Sequence, residues 1–414
     1  MRASPVAHAR ARADASLALA GRALARGDAL HALGLVGRAE DGLGLTLRGI
    51  AHAQLGDLAL ARASLDRARS LAKDPLLRAR IEAARVEIAM SDGDPARAAK
   101  AARASAEALA KLGDVRNAAM QRLVLARAEV LLGRLTKARH VVDEVLAHAE
   151  LPADVAAVAC LAQAEIAIRA VAPTEARAAL SRARRALDAA PNELLARALV
   201  ALEAELSKPI ARLEQRGAQR EADLFAIEAA SSGEVFLVDA CRRLAIAGRA
   251  SIPLAKRSVL FALLLALARA WPADVARDAL AAAAFDTRRV NASHRSRLRV
   301  EIGRLRKLLE GLGEPVATAE GYVLETPRAV AVLLPPDGGE AARLAILLGD
   351  GAWWTAQALA EHAGVSKRTA QRALAALVEA RSVIKAGAAK DVRFSRPGAP
   401  IASRMLLLGL VPKP

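Results

Sequence analysis

The residues best placed to do chemistry lie between Ser293 and Tyr322, in the run SHRSRLRVEIGRLRKLLEGLGEPVATAEGY. That chemistry is electrostatic and hydrogen-bonding rather than bond-breaking. Stepping 100° per residue brings Leu298, Ile302, Leu305 and Leu309 within about 60° of one another, a core stripe at helical spacing. The opposite face carries Ser293, Ser296, Arg297, Val300, Arg304 and Lys307. Small, apolar and forked cationic side chains on one exposed face suit the floor and walls of a DNA major groove. Eight Lys or Arg stand between Thr287 and Lys307 against a single acid, Glu301. A helix that is merely solvated mixes its signs, so this bias predicts a polyanionic partner.

A second constellation follows in TAQALAEHAGVSKRTAQRALAAL, Thr355 to Leu377. Gly364 permits the tight turn between two helices, and Val365 packs inward. Ser366 caps the next helix, which brings Lys367, Arg368, Thr369, Gln371 and Arg372 to its first turns, the part of a recognition helix that enters a groove first. Leu374 and Leu377 face the core. SVIKAGAAKDVRFSRPG then reads as strand, turn, strand, with Lys385, Lys390 and Arg393 on it.

Bond-breaking chemistry has no comparable signature. There is no phosphate-cradling G-x-x-x-x-G-K-[ST] loop, no H-E-x-x-H and no G-x-S-x-G, so the chain reads as a non-enzyme without cofactor or metal. Its seven His are scattered, and His294 at the start of the basic helix is the one within reach of a phosphate. Cys160 and Cys241 are too few for a disulfide framework or metal cluster and read as small core residues. Trp353, Trp354, Tyr322 and Phe394 read as packing of small domains.

The elements that must position these residues follow from composition. The chain has 414 residues and a net charge of +17. Residues 1–230 hold 34 Lys+Arg against 28 Asp+Glu, and the remainder 27 against 16, so the second part is the more cationic per residue. All nine aromatics lie from Phe225 to Phe394. A first half built of Ala, Leu and Val suits closely packed helices better than sheets. There "Gly-Asp" recurs at Gly27-Asp28, Gly56-Asp57 and Gly93-Asp94, with Gly133-Arg134 as a relative. Five residues after each Gly stands Ala32, Ala61, Ala98 or Ala138, and a fifth copy without the Gly fits Ala176. Gly supplies the turn, and small residues such as Gly49 and Ala68 let two helices approach. The opening MRASPVAHARARADAS has no apolar segment and reads as no secretory signal, and no apolar run is long enough to span a bilayer; the expected location is cytoplasmic and nucleoid-associated.

Three resemblances organise these readings. LTLRGIAHAQLGDLALARASLDRARSLAKDP resembles a tetratricopeptide repeat, with the family's aromatic positions vacant and His52 in one of them. VEIGRLRKLL followed by PVATAEGYVLE resembles the recognition helix and wing of OmpR-type winged-helix domains. GEVFLVDACRRLAIAGRASIPLAKRSVLFALLLALA resembles that family's opening sheet and first helix, and DVARDALAAAAF its second helix, with Phe285 where the family usually has Trp. This resemblance implies Val300 against thymine methyls, Arg304 at a base edge and Arg306 near the backbone. Gly303 stands where the family often has Arg, and Thr318, beside Glu320, where the wing usually sends Arg into the minor groove; weak wing contact is expected. The 338–398 segment resembles winged helices of the DeoR, GntR and MarR kind.

The resulting expectation is a mainly α chain: a tetratricopeptide-like helical repeat over 1–207, a linker helix over 208–229, an OmpR-type winged helix over 230–330 and a hinge over 331–337. A second winged helix over 338–398 and an apolar tail over 399–414 complete it. The expected function is sequence-specific transcriptional regulation on double-stranded DNA. Ser296, Arg297, Val300, Arg304, Arg306 and Lys307 of the first unit would contact it, with Ser366, Lys367, Arg368, Thr369, Gln371, Arg372, Lys390 and Arg393 of the second. The repeat would serve a protein or peptide partner or a homodimer. The rival expectation is an interaction scaffold or an architectural DNA-binding protein without sequence specificity.

Overall fold

The computed structural model describes residues 5–90, 95–148, 150–287, 289–336, 339–348, 353–386 and 392–395. The chain is mainly α with a C-terminal α+β region, and it divides near residue 206 into two compact units.

The first unit is a stack of antiparallel helix pairs. α1 (Pro5–Ala25) pairs with α2 (Ala29–Val36), α3 (Gly42–Leu55) with α4 (Leu58–Leu71), and α5 (Pro75–Ala89) with α6 (Pro95–Lys111). α7 (Val115–Leu131) packs on α8 (Leu135–Leu146); α9 (Ala153–Arg169), α10 (Pro173–Ala189) and α11 (Glu193–Ser207) follow. The turns come from the repeated dipeptide. Gly56 ends α3 at φ 88°, and the Asp57 carboxylate accepts a hydrogen bond from Leu60 N at 3.0 Å, satisfying one orphan donor of α4. The Gly93-Asp94 copy lies outside the described residues. The fifth copy, without Gly, turns through Val171 at φ 58°. A further Gly-Asp pair, Gly113-Asp114, has Ala118 five residues after its Gly as the others do, but it joins one pair to the next rather than the two helices within a pair. Ala32, Ala61, Ala138 and Ala176 are fully buried and Ala98 nearly so. At Gly49 a Cβ would press to 2.8 Å from Leu65 Cγ, so the close approach of α3 and α4 depends on its absence.

First helices of successive pairs also pack on one another, α1 on α3, α3 on α5, α5 on α7 and α7 on α9. Buried polar groups gather on this row. Gln121 Nε2 on α7 donates to Glu87 Oε1 on α5 at 2.9 Å, and burial pushes the Glu87 carboxyl well above the ordinary range. On α9, Glu165 accepts from Arg169 Nη2 at 2.9 Å and also from Arg127 of α7. The two ends of the stack touch. Asn192 Nδ2 donates to Ala25 O at 2.7 Å and Glu193 N to Arg26 O at 3.3 Å, so the start of α11 clasps the first turn.

The second unit opens with β1 (Ala211–Gln215), β2 (Ala218–Ala222), α12 (Leu224–Ser231), β3 (Val235–Asp239), β4 (Leu244–Ala247) and β5 (Ala250–Pro253). Residues 208–229, expected as a linker helix, are a hairpin and a short helix. Arg216 and Gly217 both take positive φ, 48° and 80°, the turn that a two-residue hairpin favours. The helix-forming Arg, Glu and Gln of the segment are overridden by pairing, since β1 lies beside β9 (Ala329–Leu334) in a six-stranded sheet ordered β2-β1-β9-β3-β4-β5. Glu214 of β1 is buried and receives Arg269 Nε at 3.0 Å and Nη2 at 3.2 Å.

β9 corrects a second expectation. Residues 331–334, read as part of a hinge, form an inner strand parallel to β3, with Val330, Ala331, Val332 and Leu333 all buried. An unbroken apolar run is what a strand covered on both faces requires, and the Pro-Pro that suggested a hinge begins only at residue 335.

Candidate nucleic-acid interface

Between β5 and β9 stand three helices and a small sheet, the segment expected as a winged helix with its wing: α13 (Ser258–Ala270), β6 (Val275–Ala276), α14 (Arg277–Phe285), α15 (Ala292–Leu308), β7 (Glu314–Ala317) and β8 (Gly321–Glu325). Leu263, Leu264 and Leu267 of α13 and Leu280 of α14 meet Leu298, Ile302 and Leu305 of α15 in one core. The predicted stripe is therefore the buried one, Leu309 included. An N-terminal box fixes where α15 begins: Asn291 Oδ1 accepts from His294 N at 3.0 Å, and Asn291 N donates to His294 Nδ1 at 3.3 Å.

The outward face of α15 presents Ser293, Ser296, Arg297, Val300, Gly303, Arg304 and Lys307, all exposed. Val300 is 55 % exposed, so an apolar side chain stands among the cations of this face. Most of the arginines are already engaged. Arg295 grips Asp278 of α14 through two bonds at 2.7 and 2.6 Å, which holds the Asp278 carboxyl below the usual range. Arg297 lies over the Phe285 ring at 4.6 Å, and His294 stacks on the same ring at 5.8 Å. Arg304 Nη1 donates to Glu301 Oε1 at 2.7 Å. Arg306 turns to the wing, donating to Pro315 O at 2.8 Å and pairing with Glu314 at 2.7 Å. Arg299 and Lys307 have no polar partner among the described residues.

The wing is a three-stranded sheet ordered β6-β8-β7. Gly321 is required where it stands, because a Cβ there would collide with the Val275 carbonyl as β6 passes β8. The tip is tied down rather than extended. Arg277 donates to Thr318 O and Ala319 O, each at 2.8 Å, and the Thr318 hydroxyl bonds Asp274. Two contributors escaped the helical-face reading. Arg299 sits a step beside the chosen face, and Arg277 lies in a different helix, with no local pattern linking it to the wing.

The second constellation assembles on its own core. α16 (Gly339–Leu347), α17 (Ala356–Ala363) and α18 (Lys367–Glu379) pack through Leu344, Leu359, Leu374 and Leu377, with Phe394 and Trp354 alongside. β10 (Trp354–Thr355), β12 (Arg393–Ser395) and β11 (Ile384–Ala386) form a small antiparallel sheet in that order. Gly364 closes α17 at φ 67°, and Ser366 Oγ accepts from Thr369 N at 3.1 Å to start α18. Lys367, Arg368, Gln371 and Arg372 are exposed and Thr369 is half-buried. Arg393 is exposed on the middle strand; Lys390 lies outside the described residues.

Among the described residues no three His, Cys, Asp or Glu side chains gather as a metal site would need, and no helix is long and apolar enough to cross a membrane. Burial pushes the Cys241 thiol far up, which suits an inert core residue rather than a nucleophile. No protein-family model, curated protein or solved structure matches the chain.

Proposed function

We propose that this chain is a sequence-specific DNA-binding transcriptional regulator in which α15 is the principal reader and α18 a second contact. The observation that carries the reading is the outward face of α15: forked cations, small hydroxyls and one apolar side chain on a capped helix. A face of this composition meets the polyanion with charge and the base edges with hydrogen bonds, while Val300 supplies an apolar surface for a thymine methyl. The tied wing tip around Thr318 supports the expectation that the wing contributes little. The helical stack would take a partner or a signal, and duplex DNA is the main ligand.

The test is selection from a random-duplex pool at about 150 mM salt, where phosphate attraction is partly screened. Enrichment of one motif is the expected result. Retention without enrichment, vanishing as salt rises, would instead favour an architectural or scaffold role.

A further inference from the structure

We propose, resting on the duplex-DNA reading, that Glu301 is a positioning residue that sets the sequence selectivity of α15. It holds one arm of Arg304 so that the free edge of the guanidinium meets a guanine, and its charge discourages contact with backbone alone.

Glu301 lies on the flank of α15 between the core stripe and the outward face. Its side chain is 11 % exposed against 65 % for Arg304, so the carboxylate is a fixed post and the arginine the part that reaches out. Arg304 Nη1 is held at 2.7 Å. The Nε and Nη2 groups remain, two nearly parallel donors at the spacing that guanine O6 and N7 accept. A long side chain already restrained loses less freedom when it binds, which favours a directed contact over a diffuse one. Nothing stands within 4 Å of where a Cβ of Gly303 would lie, so no neighbour crowds the groove-facing surface beside Arg304.

The arginines at the edges of the helix are held differently: Asp278 takes the Nε and Nη2 edge of Arg295, and Glu314 with Pro315 O takes that of Arg306, whereas Arg304 is held through Nη1. Asp278 engages Arg295 and Glu314 engages Arg306, which leaves Arg299 and Lys307 as the α15 cations without a partner among the described residues. Three acids thus trim the generic attraction of a basic helix, and of the three arginines they hold Arg304 is the one whose two-donor edge stays open. Glu301 is the one of the three on α15 itself.

The experiment uses the full chain and a duplex enriched from the random pool. Binding of wild type, Glu301→Gln, Glu301→Ala and Arg304→Ala is measured on that duplex, on copies with each guanine changed, and on a scrambled duplex. Glu301→Ala should lose about tenfold on the enriched duplex and lose discrimination at the same guanine as Arg304→Ala. Its affinity for scrambled DNA should hold or rise. Glu301→Gln keeps an acceptor oxygen and nearly the same shape, so it should keep the guanine preference while binding scrambled DNA about two- to threefold tighter, with a steeper salt dependence. Equal losses on both duplexes, or discrimination lost at a position other than that of Arg304, would overturn the role of Glu301. Absence of any enrichment by the wild type would overturn the DNA reading along with it.

Discussion

The two helices α15 and α18 of the second unit hold their cations in different ways. Both start at a side-chain cap, Asn291 in one and Ser366 in the other, and both bury one leucine-rich stripe. On α15, Arg295, Arg297, Arg304 and Arg306 each have an intramolecular partner: a carboxylate, an aromatic ring, a second carboxylate, and the wing. On α18, Lys367, Arg368 and Arg372 have none among the described residues. A restrained guanidinium gives up part of its long-range attraction and gains direction, whereas a free one keeps its full charge and reach. On the proposed reading, α15 discriminates between sequences and α18 supplies salt-sensitive affinity.

The comparison breaks most forcefully in the core. Leu305→Ala removes a fully buried side chain beneath α15 and should cost about 2–5 kcal/mol in denaturant unfolding. The α18 core contains no residue of that stripe. The variant should therefore lose motif selectivity yet retain salt-sensitive binding to any duplex; loss of both would show the two helices to be one cooperative reader. Next in size, Arg304→Ala should cost about 1–3 kcal/mol on the enriched duplex and relax selectivity at one base pair. Similar losses on every sequence would make Arg304 a backbone contact, and the contrast with α18 would disappear.

On the other helix, Lys367→Ala combined with Arg372→Ala should weaken binding evenly across sequences and reduce the salt slope by about two. A base-specific effect there would mean that α18 reads as well as holds. A smaller effect is expected where Glu214 of β1 braces Arg269 of α13. Burial alone would raise the Glu214 carboxyl, but the hydrogen bonds and charge of Arg269, with the Gln219 amide, hold it below the ordinary range. Its folded value is depressed, so its contribution is present above the ordinary glutamate pKa of about 4.3 and is lost as pH falls through the folded value. Glu214→Gln should lower the thermal midpoint at pH 7, with the difference from wild type closing in acid. A difference that persisted in acid would trace to packing rather than charge.

Local order made much of this legible in the chain. Leu298, Ile302, Leu305 and Leu309 recur at helical spacing, and that spacing alone identifies the buried side of α15. Gly-Asp dipeptides mark turns because glycine admits positive φ and aspartate caps the following helix. Gly364 and Ser366 do the same for α17 and α18. The failures share a cause. Ala211 to Ala222 is rich in helix formers, yet it lies in a sheet because β9 offers it an edge from more than a hundred residues away. Residues 331–334 looked like the approach to a hinge because the Pro-Pro after them is conspicuous, while the partner that makes them a strand, β3, is nearly a hundred residues earlier.

The candidate interface divides along the same line. Which α15 residues face outward follows from periodicity, but which arginines are already held does not. Asp278, Phe285 and Glu314 reach α15 from other elements, and Arg277 reaches the wing tip from across the turn. The sequence by itself determined most of the helices, the cap at Ser366, the buried stripes of α15 and α18 and the surplus of positive charge, because each depends on residues within a few turns of one another. Only the tertiary structure decided the inner strand β9, the clasp of Asn192 on Ala25 and the pairing of each cation. Those depend on which surfaces meet, and that is fixed by the burial of the whole chain rather than by any local preference.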